Sequence, residues 1–222
     1  MLAIRSKDDI DIQQVLRNIG YRRNAKPSAR VMSLLDDYIE NVHHLIEPTY
    51  SHVIRDVVSV SGDRVEIEGS VVFESEVIAR LLERCDRVAV FAVTIGGYLE
   101  ETANRLAEDG LMLQASVLDA IGSGAVERVV GFIQDRVEQT AKVLGYDISR
   151  RFSPGYCDWD ISQQEMLFEI INARLAGITL TDSYLMLPRK SVSGIIGIGC
   201  GAGVKDYNPC RTCDKRGCPG RR

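Results

Sequence analysis

Apolar residues along the chain change period several times, and each period predicts an element. Residues 9–19 carry helical spacing and Gly20 follows as a C-cap, so a short helix is expected there. Lys26-Pro27-Ser28 leads into a longer helix, about residues 28–45, whose apolar stripe is Leu34, Leu35, Tyr38, Val42 and Leu45. Two β-like runs follow, residues 50–60 and 65–73, joined by the hairpin signal Ser61-Gly62-Asp63. Residues 75–82 read as a helix and residues 87–94 as a buried strand. Gly96-Gly97 marks the exit into a helix ending near Gly110, and a long helical stretch occupies about residues 111–144. Gly122, Gly124 and Ala125 lie inside it, and glycine is costly in a helix interior, so they signal close packing against backbone or ligand, or a kink. Further on, residues 162–175 are amphipathic, with Ser162 as N-cap and Glu165 completing a capping box. Met166, Leu167, Ile170, Ile171 and Leu175 recur there at helical spacing, and residues 178–188 alternate like a strand.

No repeat, low-complexity segment or linker interrupts this series before Gly197. The expected fold is one α+β domain over residues 1–198, a twisted, mostly antiparallel sheet covered by helices, followed by a cysteine-rich basic tail over 199–222. The 222 residues are 45% hydrophobic, enough to fill a real core. Net charge is −4, so no global basic field points to nucleic acid. The first residues are too mixed for a signal peptide, and no apolar run approaches a membrane span, so a soluble, cytoplasmic protein is expected.

The hexapeptide Arg151-Phe-Ser-Pro-Gly-Tyr156 is rich in residues that hold backbone shape and poor in acid–base groups. Gly155 permits close backbone approach to a ligand, and Pro154 fixes φ and removes a donor. Arg151 offers a planar fork to a carboxylate or phosphate, and Tyr156 an aromatic face to a cation or flat ring. Such a set suits gripping a small zwitterion better than activating a nucleophile. Taken alone, it reads as an ordinary turn.

In order, Arg-x-Ser-Pro-Gly-Tyr at 151–156, an amphipathic helix, Leu180-Thr-Asp-Ser…Met186-x-Pro188 and Ser191-Val-Ser-Gly194 resemble the activation (reactivation) domain of cobalamin-dependent methionine synthase, and above all stand-alone versions of it. The resemblance is specific from about Arg151 to Gly194, extends more weakly upstream through residues 118–127, and does not cover the tail. It implies a mixed domain with a curved sheet that binds S-adenosylmethionine. It further implies that cobalamin on a partner, oxidised to cob(II)alamin, is reduced by one electron and remethylated, while this domain supplies binding, orientation and proximity. The implied partner is a corrinoid-binding methyltransferase, most simply a methionine synthase lacking this domain, with a flavodoxin or ferredoxin as electron donor.

Carried over residue by residue, Glu127, Arg151, Ser153, Gly155 and Tyr156 would line the ligand site. Arg151 would take a carboxylate or an adenosine oxygen. Ser153 and Gly155 would give main-chain contacts, and Tyr156 would pack on the ligand. Glu127 would neutralise the ammonium or face the sulfonium; read from residues alone it is equally a solvated helix charge beside Arg128, as Arg151 is a surface ion-pair partner beside Arg150. Ser191, Val192, Ser193 and Gly194 would lie near the ligand and the corrinoid-facing surface, or simply form a strand with a tight turn. Asp182 stands where full-length enzymes usually carry glutamate. Their proline-rich stretch and histidine after the hexapeptide become Cys157-Asp-Trp-Asp-Ile-Ser162, and their aromatic stretch after Ser-Val-Ser-Gly becomes residues 195–203. Tyr207 stands near enough in sequence to substitute for the family's tyrosine, whereas an aspartate motif near the family's N-terminus is not recognisable. His43, His44 and His52 read as surface or packing residues.

Four of the six cysteines follow position 199. Cys200, Cys210, Cys213 and Cys218 could enclose one tetrahedral zinc or anchor one iron–sulfur cluster, although the spacing matches no standard template. Between Lys205 and Arg222 the charge is +4, leaving −8 elsewhere, so the tail offers itself to an acidic partner. The glycines at 199, 201 and 203 precede Asn208-Pro209 and no helix-forming stretch, which excludes a dinucleotide loop. Two other functions compete with reactivation: a non-catalytic corrinoid-protein binding module, and a metal-cluster electron-transfer protein on the same fold.

Overall fold

The computed structural model describes residues 9–22, 26–201 and 203–211. Its centre is β4 (Arg87–Thr94), the strand expected at 87–94, buried along nearly its whole length. Val88, Val90 and Ala92 face one apolar cluster, and Ala89, Phe91 and Val93 face another. A strand covered on both faces needs apolar residues at every position, hence an unbroken apolar run rather than alternation. Around it lie β1 (Thr49–Ser61), β2 (Arg64–Ile67), β3 (Val71–Glu74), β5 (Asp147–Phe152) and β8 (Ser191–Gly199). The sheet order is β3-β2-β1-β4-β8-β5, and every neighbouring pair is antiparallel.

One face is covered by α1 (Ile12–Asn18), α2 (Ala29–Asn41), α4 (Tyr98–Glu108) and α5 (Met112–Val143). The other is covered by α3 (Glu76–Leu82), α6 (Gln164–Ile171) and Trp159. The α+β class and the helix-covered antiparallel sheet expected from the sequence are therefore found. Helix α5 is unbroken: Gly122 makes room rather than a kink, since a Cβ there would collide with a methyl of Leu99 and touch the Lys190 stem.

Local chemistry moves several expected boundaries. The run at 65–73 is two strands, because Gly69 and Ser70 take positive φ and turn the chain between β2 and β3. The helix expected at 162–175 is a 3-10 turn, then α6, then a second 3-10 turn, with Asn172 left-handed between them. Its cap is Asp160 rather than Ser162: the Asp160 carboxylate accepts from the Ser162 N–H at 2.8 Å and from its hydroxyl at 2.6 Å. The alternation at 178–188 is a small hairpin, β6 (Thr179–Leu180) with β7 (Met186–Leu187), turned at Thr181–Tyr184. Strand β5, which includes the first two residues of the hexapeptide, was not expected. The boundary set at 198/199 falls within β8, and α7 (Gly203–Asp206) places Val204 in the second cluster, so residues 203–206 pack onto the same body.

The second cluster ties the loop after β5 to the far side of the sheet. Trp159 is 1% exposed and meets Phe73 edge-on at 5.4 Å between ring centroids. Its Nε1–H donates to Gln163 Oε1, whose amide also exchanges hydrogen bonds with the backbone of Glu74. Next to it, Asp158 accepts from the Ser75 hydroxyl and the Glu76 N–H, capping α3 from another part of the chain.

Candidate functional site

Antiparallel register decides which way Arg151 points. It pairs with Ile196 of β8, and directly paired residues share a face. Ile196 belongs to the cluster under α5, so Arg151 projects toward that helix. There its Nη2 donates to Glu127 Oε2 in an ion pair between side chains 21% and 44% exposed. Two residues 24 apart, singled out from different motifs, thus meet.

The pair lines a cleft of about 650 Å³ between the start of α1, the middle of α5 and β5. Asp9, Asp11, Gln14 and Arg128 also line it. Asp9 faces Arg128 at 3.8 Å, and Asp11 caps α1 by accepting from the Gln14 N–H at 3.1 Å. Carboxylates and guanidinia therefore meet in a cleft of ordinary ligand-site size. A zwitterion can enter such a pair without leaving a charge unmatched, its carboxylate toward Arg151 and its ammonium toward Glu127. That donor set fits the amino-acid end of S-adenosylmethionine.

The remaining expected residues hold backbone. The Ser153 hydroxyl donates to the Ser193 carbonyl at 2.6 Å, pinning the end of β5 to β8. The Ser193 hydroxyl donates to Gln164 Oε1 at 3.1 Å, and that of Ser191 to the Pro188 carbonyl at 2.5 Å. Ser193 therefore looks toward α6, away from the cleft, and Ser191 shares its strand parity. Gly194 leaves space: a Cβ would overlap the Phe152 carbonyl oxygen and lie 3.0 Å from Ser153 Oγ and 3.2 Å from the Phe91 ring. Gly155 has φ +88°, which accounts for the glycine without a ligand, and its missing Cβ faces Ile161 at 3.2 Å. The turn closes with the Gly155 N–H on the Trp159 carbonyl and the Trp159 N–H on the Tyr156 carbonyl, leaving the Tyr156 ring half exposed. The structure thus brings Glu127 and Arg151 together over the root formed by Ser153 and Gly194. It places Gly155 and Tyr156 in the turn beyond, and Ser191 and Ser193 on the opposite side.

Tyr207 does not reach this cleft. It packs against the second cluster, on the other face of the sheet, where burial raises its pKa and Arg80 lowers it in part. It is no substitute for a ligand-contacting tyrosine, because proximity in sequence to β8 does not select a face. His43 and His44 are exposed and half-stacked at 3.9 Å, and burial, then Arg136, lowers the pKa of His52, in keeping with surface and packing roles. Cys85 is buried and its thiol is pushed up to about 12 by burial and by Asp86, so it stays protonated at neutral pH. Cys200 is exposed and Cys210 partly buried, while Cys213 and Cys218 lie outside the described residues. Among the described residues no group of three or more His, Cys, Asp or Glu side chains is placed to hold a metal ion. Among them, too, no helix is long and apolar enough to cross a membrane.

Sequence reasoning missed Asp9, Asp11 and Ser123 as cleft residues. Asp9 and Asp11 carried a usable signal, a polar start to a short amphipathic helix; Ser123 sat unremarked between the two helix glycines.

A family model for the activation domain of vitamin B12 dependent methionine synthase matches residues 74–202. No curated protein matches the chain. Among solved structures, the MetH reactivation domain bound to AdoHcy is similar, with a TM-score of 0.71 and 16% sequence identity, over 91% of this chain and 76% of that one.

Proposed function

Because the chain belongs to the family of vitamin B12 dependent methionine synthase activation domains, we propose that its Arg151–Glu127 cleft binds S-adenosylmethionine and that the protein serves as reactivation partner of a corrinoid-binding methyltransferase. The observation that carries this reading is the ion pair itself, two charges of opposite sign at the mouth of one cleft. When bound, S-adenosylmethionine would supply the methyl group for cobalamin on the partner, which would need one electron from a separate donor; S-adenosylhomocysteine would be the product left in the cleft. This chain's residues bind and orient. Arg151 holds the ligand's carboxylate, and Glu127, one residue from Arg128 on α5, holds its ammonium. Ser153 and Gly194 fix the strand end from which Arg151 projects. The transfer needs proximity more than proton movement. The similar structure, solved with AdoHcy bound, supports the reading at the level of the fold.

Calorimetric titration of the purified protein with S-adenosylmethionine tests it. Arg151→Ala is expected to weaken binding by about 2–4 kcal/mol, because a charge-assisted pair is lost and Glu127 is left facing the ligand alone. An unchanged dissociation constant removes Arg151 from the site. A wild-type protein that binds none shifts the function to a corrinoid-protein binding module without ligand.

The tail is a separate part of the proposal. The clustering of Cys200, Cys210, Cys213 and Cys218 near the end of the sequence supports one metal or cluster there, which would relay the electron if it is an iron–sulfur cluster. Protein purified without oxygen is expected to carry iron and sulfide in that case and zinc if the group is a structural clip; absence of all three leaves the cysteines without a ligand.

A further inference from the structure

Lys190 precedes β8 and runs under α5 rather than out to solvent. Its side chain is 12% exposed, and its stem passes over Gly122, where a Cβ would come within 3.4 Å of Cε. The ammonium then meets two residues one helical turn apart. It lies 2.8 Å from Asp119 Oδ1 and donates to Ser123 Oγ at 2.9 Å. Ser123 lines the cleft and sits one turn from Glu127.

The proton count at Ser123 is decisive. An ammonium has three donors and no acceptor, so the Ser123 oxygen must accept from Lys190. The hydroxyl proton is left to be donated elsewhere. Its partner now is the Asp119 carbonyl one turn back, at 3.3 Å, a long bond for a hydroxyl whose usual range ends near ~3.0 Å. Releasing that bond sacrifices little, and the rotated hydroxyl presents its proton to the cleft. Lys190 behind it adds positive charge in a partly buried position, which favours an anionic acceptor.

We propose that Ser123 is a ligand-contacting residue, donating to the carboxylate of the bound S-adenosyl amino acid, and that Lys190 is the positioning residue that commits its hydroxyl to donation. This rests on the reading that the cleft binds S-adenosylmethionine. It adds a second anchor for the carboxylate, on α5, facing Arg151 on β5. The neighbouring pair of Arg189 with Glu100 at 2.9 Å holds the same segment to α4, so Lys190 arrives from a fixed direction.

Titrations with S-adenosylhomocysteine and with 5′-methylthioadenosine, which lacks the amino-acid group, test the assignment. Ser123→Ala keeps helix propensity and is expected to fold normally. It should weaken S-adenosylhomocysteine binding roughly tenfold or more, the loss expected for a hydrogen bond to a charged group. Lys190→Met should weaken it comparably, Lys190→Arg should restore most of it, and Ser123→Ala combined with Lys190→Met should be no weaker than the worse single variant, because Lys190 acts through Ser123. Asp119→Asn removes the ion pair but leaves the Lys190–Ser123 bond, so it should bind as the wild type. Affinity for 5′-methylthioadenosine should be the same in wild type and Ser123→Ala. Unchanged S-adenosylhomocysteine binding in Ser123→Ala, while Arg151→Ala weakens it, overturns the inference and leaves the cleft reading standing. A loss that persists with 5′-methylthioadenosine overturns the carboxylate as the acceptor. If neither the wild type nor any variant binds, the cleft reading fails and takes this inference with it.

Discussion

Replacing Gly194 by valine is expected to destabilise the protein by about 3–5 kcal/mol, enough to unfold a marginally stable domain. The position tolerates no side chain. A Cβ would overlap the Phe152 carbonyl oxygen of the neighbouring strand and press on Ser153 Oγ and the Phe91 ring. Backbone on one side and a fully buried aromatic on the other leave nothing flexible to yield. Alanine suffers the same overlap, so even Gly194→Ala should be severe. Circular dichroism in a urea series measures this: the transition should move to much lower denaturant or vanish, whether or not ligand is present. A Gly194→Val protein that melts like the wild type would show that β5 can lift from β8 at no cost. The Ser-Val-Ser-Gly motif matters because β5 crosses close over β8 at this point.

Removing the indole of Trp159 is the second large effect, again about 3–5 kcal/mol for a buried Trp→Ala change. Trp159 is 1% exposed and fills the space between Phe73, the loop after β5 and α6. The substitution also deprives Gln163 of one donor while its amide still bridges to Glu74. It further loosens the turn in which Gly155 and Tyr156 exchange backbone hydrogen bonds with residue 159. Because Trp159 is the one tryptophan of the chain, fluorescence follows the wild type and circular dichroism the variant. A loss below ~1 kcal/mol would mean that the second cluster repacks freely, contrary to the close packing of protein interiors.

The elements legible in the sequence were those whose own residues decide them. The apolar run of β4 and the long α5 pattern each carry enough local signal. Strand β5 does not, since Asp147-Ile-Ser-Arg-Arg-Phe has two apolar residues and owes its extended form to pairing with β8. The hairpin at 179–187 reads as one strand from the sequence because Ile178-Thr-Leu-Thr181 alternates, whereas the polar run Thr181-Asp-Ser183 and Tyr184, at φ +62°, turn the chain back. At the candidate site the resemblance points to Arg151 and Glu127, which the fold pairs. It does not report the contacts by which Ser153, Ser193 and Gly194 hold β5, β8 and α6 together. The link from Lys190 to Ser123 spans 67 residues and no spacing rule reports it.

The sheet order has a consequence for how the chain comes into being. Strand β5 pairs in the sheet with β8 alone, yet β5 ends at Phe152 and β8 begins only at Ser191. During synthesis α5 can complete itself with Glu127 in place, while the segment bearing Arg151 has no strand to lie against. Until residue 199 emerges, β4 presents an unpaired apolar edge, a site for chaperones or for wrong pairing. The cleft therefore depends on β8, which lies between β4 and β5 and sets the register of the strand that carries Arg151. A chain that ends at residue 190 lacks Ile196, the partner that turns Arg151 toward α5 and Glu127.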